Sequence, residues 1–148
     1  MKMLEKMSKN LSIVLVLSML AVLFAPACNV TAEAVDTGAS ATVSVNMAVI
    51  GPDGEALYNS ANVTGGAITV TDDNQWGLTA LGVLDASGVE YESGYMDPWG
   101  NYPNSIAGIS NEGGGGLGWN YTYNDEGATM LAGNQEIQEG DTIIYYYM

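Results

Sequence analysis

Beyond residue 9 the chain has no basic side chain. Its three cations are Lys2, Lys6 and Lys9, histidine is absent, and 17 acidic residues bring the formal net charge to −14 over 148 residues. Capture of nucleic acid is excluded on this ground, because neutralisation of phosphates by Lys and Arg supplies most of that affinity. Anionic lipid surfaces are excluded for the same reason, as is any Lys–Asn isopeptide cross-link. Cysteine occurs once, at Cys28, and the single phenylalanine is Phe24. With no His, and no Lys or Cys past residue 28, an acid–base or nucleophilic site would have to be built from carboxylates, Ser/Thr and Tyr. The adjacent acids Asp72-Asp73, Glu90/Glu92 and Asp125-Glu126 read as turn or solvated-face residues, with no pair singled out for glycoside cleavage. The expectation is a protein that is not an enzyme.

The three lysines precede an apolar run, Leu11 to Phe24, followed by the small-residue exits Ala25-Pro26-Ala27 and Val30-Thr31-Ala32. This is the pattern of an export signal over residues 1–32. The run is shorter than the roughly 20 residues that span a bilayer, and no later stretch approaches it, so no membrane span is expected in the mature form. Cleavage after Ala32 would leave every acid but Glu5, no cation and no cysteine, so that the core and not a disulfide must hold the fold. Cleavage before Cys28 would instead give a lipid-anchored protein at the cell surface, although Pro26 and Ala25 fit a lipobox poorly. Either way the expected location is secreted or extracellular.

Residues 33–40 ("EAVDTGAS") read as a flexible tether, and the domain as 41–148. In "ATVSVNMAVI" the residues Val43, Val45, Met47 and Val49 alternate, as on one buried face of a strand. "GPDG" is a turn, and "EALYNSANV" and "AITV" read as short strands. One segment, Leu78 to Gly88, reads as a helix with Thr79 as N-cap, a Leu78/Val83 staple and Gly88 just past its end. There Ala80, Leu81 and Leu84 face the sheet, and Asp85 and Ser87 face water. An aromatic, Gly- and Pro-containing loop is expected from Gly94 to Asn104. "GWNYTYN" alternates Trp119, Tyr121 and Tyr123 on one face, "NDEG" is a turn, and "GDTIIYYYM" is a closing strand. The order implies an α+β domain, a β-grasp-like mixed sheet of about five strands with one short helix packed across it.

The run Gly113 to Gly118 contains a literal G-x-G-x-x-G. A strand follows it, not a helix, so no helix N-terminus is available for a pyrophosphate. Two readings stay open: a flexible turn, or a place where bare backbone approaches a bulky ligand closely. "DDNQWG" starts like a calcium loop at Asp72, Asn74 and Gly77, but Trp76 takes a ligand position and Val83 stands where a bidentate Glu is needed. No structural Ca2+ is expected, and the neighbourhood of Asp97 and Asn101 is only where one would be looked for. Trp76, Trp99 and Trp119, with nine tyrosines, suit stacking on planar ligands and protein interfaces. Trp99, set among turn formers in "MDPWGNYP", is the candidate exposed contact. N-x-T sequons occur at Asn29, Asn62 and Asn120.

Gly51-Pro52-Asp53-Gly54, "TALGVLDASGVEYE", Tyr102-x-x-Ser105-Ile106-x-Gly108-Ile109, Gly118-Trp119-x-Tyr121 and "EGDTIIYYY" together resemble the transcobalamin-like C-terminal domain family of exported domains of unknown function. The resemblance runs from about Val43 to the end of the chain. It implies a β-grasp domain related to the lobe of cobalamin carriers that contacts cobalamin. It also implies a ligand-facing rim around Tyr102, Ser105, Ile106 and Gly108 and around Gly115, Gly116 and Trp119, to which Trp99 is added from its own setting. The expected partner is a bulky small molecule, a corrinoid by resemblance, or another surface protein. The alternative is a structural spacer or adhesion module with no small-molecule ligand. The intact mass of the exported form tests the processing: a chain beginning at Glu33 is the expected result, and an acylated N-terminal Cys28 would establish the lipoprotein route.

Overall fold

The computed structural model describes residues 40–112 and 117–148. The stretch expected to be an export signal, with Cys28 and Asn29, all of the expected tether except Ser40, and Gly113 to Gly116 lie outside the described residues.

The alternating valines make a strand, β1 (Thr42–Ile50), whose Val45, Met47 and Val49 are buried. Its first half pairs antiparallel with β3 (Ile68–Thr71), and its last residues pair antiparallel with β2 (Ala56–Asn59). From Asn46 to Ile50 it runs parallel to the last strand, β9 (Thr142–Tyr147). Next to β9 lies antiparallel β7 (Trp119–Tyr123), which carries the two-residue β8 (Glu126–Gly127), giving the order β2-β1-β9-β7-β8 with β3 on β1. A parallel pair cannot be closed by a hairpin and needs a long crossover. Here the crossover holds the helix and a second sheet, β4 (Tyr91–Met96), β5 (Gly100–Ile106) and β6 (Ile109–Ser110). The fold is therefore α+β with a mixed sheet, as the element order implies, but the nine strands among the described residues form two sheets where about five strands in one were expected.

Two departures explain the difference. "EALYNSANV" is a strand only to Asn59, whose side chain accepts from the Ala61 N–H and starts the short helical turn α1 (Ser60–Val63). The segment Gly94 to Asn104, expected as a loop, is mostly paired strand. Its glycine and proline serve packing there. Gly94 lies opposite Tyr102, and a Cβ at Gly94 would sit 2.6 Å from the Tyr102 ring, so the bare backbone lets the ring fold across β4. Pro103 lies opposite Ser93, next to a register shift, the kind of position where a strand tolerates proline.

The predicted helix forms as α2 (Ala80–Ala86), one turn shorter than the Leu78–Gly88 pattern. Thr79 Oγ1 accepts from the Gly82 N–H, and Gly88 takes the left-handed conformation (φ 74°) that ends a helix. A helix this short is unstable alone. Its stability comes from Ala80, Leu81, Val83 and Leu84, all wholly buried, the larger three contributing about 1.5–3 kcal/mol each. Asp85 and Ser87 were expected to face water, and both are half-buried. Asp85 accepts from Tyr91 Oη at 2.6 Å, Gln75 Nε2 at 2.7 Å and Asn74 Nδ2 at 2.8 Å, tying the helix to the preceding turn and to β4.

A second carboxylate does the same at the entry to β9. Asp141, only 8% exposed, accepts from Tyr123 Oη, Asn124 Nδ2 and the Gln138 N–H at 2.7–2.8 Å. Its backbone carbonyl takes the Asn46 N–H of β1 at 2.8 Å. The β7–β8 turn, with Asn124 and Asp125 at positive φ, is thereby locked to both central strands.

Burial alone would raise the Asp141 pKa, but the bonds from Asn124, Gln138 and Tyr123 outweigh it and leave it below the ordinary carboxylate value. A depressed folded pKa stabilises the fold above the unfolded value, about 3.9, and this contribution is lost as pH falls through the folded value. Asp141→Asn is expected to cost about 2 kcal/mol at neutral pH and to flatten the acid limb of the stability profile. Urea unfolding at neutral pH and at about pH 3 measures both, and unchanged stability at neutral pH would refute the role.

Candidate functional site

The segment between β8 and β9 has little periodicity in sequence, yet it is anchored along its length. Its carbonyls at Gln135 and Ala132 accept the N–H groups of Ala80 and Leu81 at 2.8 and 3.0 Å, donors that the first turn of α2 leaves without helical partners. Ala132 and Ile137 are buried beneath it. On its other side, the Gly133 N–H donates to Asn101 O at 3.0 Å and Asn134 Nδ2 donates to Trp99 O at 2.7 Å. Tyr121 Oη donates to Met130 O at 2.7 Å. This strap therefore joins the helix, β7 and the tip of the β4–β5 hairpin through hydrogen bonds with a backbone group on at least one side, which leave no hydrophobic pattern.

Between the strap, β7, the end of β9 and the hairpin lies a cleft of about 570 Å³, within the usual range of small-molecule sites. Met96, Trp99, Tyr102 and Pro103 line it from the hairpin, Trp119, Asn120 and Tyr121 from β7, Tyr146 from β9, Gly127 from the end of β8, and Ala128 to Ala132 from the strap. The lining is aromatic, thioether and aliphatic, with Asn120 and Thr129 as its polar side chains. Trp99 is 65% exposed, Met96 48% and Met130 47%, so the mouth is a broad apolar rim. Trp119 is held more firmly: its Nε1–H donates to Ile109 O at 2.6 Å, and its ring meets Tyr147 edge-on at 5.4 Å. Burial pushes the Tyr121 phenol up to about 12, so it stays a donor to the strap across the whole neutral range. A smaller depression of about 360 Å³ lies elsewhere, between Trp76–Thr79 and Glu136–Ile137.

Of the residues expected at the ligand rim, Trp99, Tyr102 and Trp119 come together in this cleft. Ser105 and Ile106 do not reach it; Ser105 is 6% exposed and Ile106 is wholly buried in the core. Both lie at the end of β5, beneath the surface. Gly108 sits with Ala107 at positive φ in the exposed turn between β5 and β6. Gly115 and Gly116 lie outside the described residues. Met96, Met130 and Tyr146 were missed. Met96 had a signal, since it shares the Asp97-Pro98 turn with Trp99, but the strap methionine had none. Among the described residues no group of three or more His, Cys, Asp or Glu side chains is placed to hold a metal ion, and no helix is long and apolar enough to cross a membrane. Asn62 is exposed on α1, and Asn120 is half-buried with Nδ2 on Gly118 O at 3.1 Å.

Residues 77–148, just under half of the chain, match the family described as a domain of unknown function, DUF4430. That stretch begins just before α2 and includes every residue that lines the cleft. No curated protein matches the chain. Among solved structures, a Ruminococcus gnavus protein with a proposed metal-binding role is similar at 16% identity and a TM-score of 0.50, over 72% of this chain and 96% of its own. Haptocorrin in complex with Cbi is similar at 19% identity and a TM-score of 0.53, over 73% of this chain. The chain corresponds to only 25% of haptocorrin's length. At these identities the likeness is one of fold.

The Asn134 bond to Trp99 O makes a specific demand on the cleft. Asn134→Ala is expected to speed amide hydrogen exchange at residues 96–101 by about tenfold, the equivalent of one lost hydrogen bond of about 1.4 kcal/mol, with β1 and β9 unchanged. Equal exchange in the two proteins would show that the strap does not steady the hairpin tip.

Proposed function

We propose that this is an exported, non-enzymatic binding domain whose aromatic cleft holds a bulky, flat small molecule, with corrinoids the first class to test. The observation that carries the reading is the cleft itself: five aromatic rings and two methionines around about 570 Å³, with an exposed tryptophan at its mouth. Flat rings and polarisable sulfur fit the face of an extended conjugated ligand without directional polar contacts. The shared fold of haptocorrin, whose structure holds Cbi, supports the corrinoid choice, as do the motifs that resemble the transcobalamin-like family. Export rests on the three lysines and the apolar run that follows them.

A cleft this open covers one face of such a ligand and leaves the other exposed. Affinity is therefore concentrated in the rings that do make contact, and truncating a central aromatic typically costs 2 kcal/mol or more. Calorimetric titration with cobinamide and cobalamin is expected to give one site per chain. Trp99→Ala should weaken it by about thirtyfold with the unfolding midpoint unchanged, because the ring is largely in solvent. Absence of heat with either corrinoid would remove the corrinoid assignment. Absence of any response to flat ligands in general would leave the structural spacer as the reading of the domain.

A further inference from the structure

The cleft's lining carries no charged side chain, but its surroundings carry one sign only. Of the 17 acidic residues, only Glu5, Glu33 and Asp36 fall outside the described residues, whereas all three cations do. Asp97 sits in the hairpin tip between the lining residues Met96 and Trp99, and Glu126 directly precedes the lining residue Gly127. Both are exposed. Nothing basic among the described residues offsets them, so every charge that the described residues place around the cleft is negative.

The groups inside the cleft have the same bias. Aromatic faces are the negative part of the ring quadrupole and attract cations, tryptophan most strongly. Two of the strap's N–H groups are already committed, Ala128 to Tyr121 O and Gly133 to Asn101 O, so neither of these adds to an anion nest of the kind that backbone amides can build.

We propose that the cleft selects by charge, accepting flat ligands that are cationic or neutral and rejecting flat anions of the same size. This rests on the cleft being the binding site and adds a chemical class to it. Anionic tetrapyrroles with free carboxylates would be turned away. Ring systems whose side chains are amides, or whose centre is positive, would be retained.

The test is calorimetric titration of the purified full chain with 9-aminoacridine, a flat monocation, and with anthracene-9-carboxylate, a flat monoanion of the same three-ring size. At low ionic strength the cation is expected to bind at one site at least about tenfold more tightly than the anion. The gap should narrow as salt shortens the screening length, and Trp99→Ala should abolish the cation's site. Equal, Trp99-dependent binding of both dyes would overturn charge selection while leaving the cleft as a site. Cation binding that ignores Trp99→Ala, or no binding of either dye, would also overturn it. The corrinoid titration reports separately on the cleft reading, so the two failures are distinguishable.

Discussion

A chain with no cation among its described residues must find neutral donors there for every carboxylate it buries, and this constraint shapes the domain's two main joints. Asp85 and Asp141 are solved alike. Each takes a phenol, Tyr91 or Tyr123, and an asparagine amide, Asn74 or Asn124; the third donor is Gln75 Nε2 in one case and the Gln138 N–H in the other. In both, burial pushes the carboxyl pKa up and the three donors more than reverse it. Hydrogen bonds to an ionised acceptor are about twice as strong as neutral ones, so these nodes do the work of buried ion pairs without desolvating a second charge. The first fixes the helix to β4. The second fixes the β7–β8 turn to the parallel β1–β9 pair.

With those joints set, the strap has only one path. It leaves β8, must cover the N-terminal end of α2, and must reach Asp141 at the start of β9. The helix supplies two unpaired N–H groups there, and the strap supplies two carbonyls. Its opposite edge is then free to bond Trp99 O and Asn101 O at the hairpin tip. The cleft is the space left where strap and hairpin converge over β7. Because each wall belongs to a different element, the cleft's shape depends on the same few hydrogen bonds that close the fold.

Much of this framework was legible in the sequence wherever the signal was local. The β1 valines, the Thr79 cap with Gly88 and the closing strand each carry their own pattern and form as read, while the "NDEG" turn is confined to Asn124 and Asp125, with Glu126 and Gly127 paired as β8. The helix-facing Asp85 was misplaced because a lone acid on a short helix looks solvated until its donors arrive from Asn74, Gln75 and Tyr91. The hairpin from Tyr91 to Ile106 was obscured by Gly94 and Pro103, residues that normally break strands; here one makes room for the Tyr102 ring and the other sits at a register shift. The strap was the least legible part, since its partners are distant backbone atoms. Trp99 could be found because turn formers on both sides leave a large ring little to pack against. Met130, Met96 and Tyr146 complete the lining only once the chain has folded around them.

The one-sided charge also bears on how such a rim can exist at all. Trp99, Met96 and Met130, with Tyr95 at 63% exposure, present apolar surface of the kind that drives unwanted association. Two copies approaching rim to rim would bring Asp97 and Glu126 of each against those of the other, with no lysine or arginine on either side to relieve the repulsion. Like-charge contact of this sort costs little stability within a domain of modest acid density, yet it opposes self-association strongly at close range. A small flat ligand with neutral or positive edges meets no such barrier. On the proposed reading, the one-sided charge of the described residues would oppose rim-to-rim pairing of two copies without barring a neutral or cationic ligand, which a rim of mixed charge would achieve less well, because opposite charges on two copies could pair.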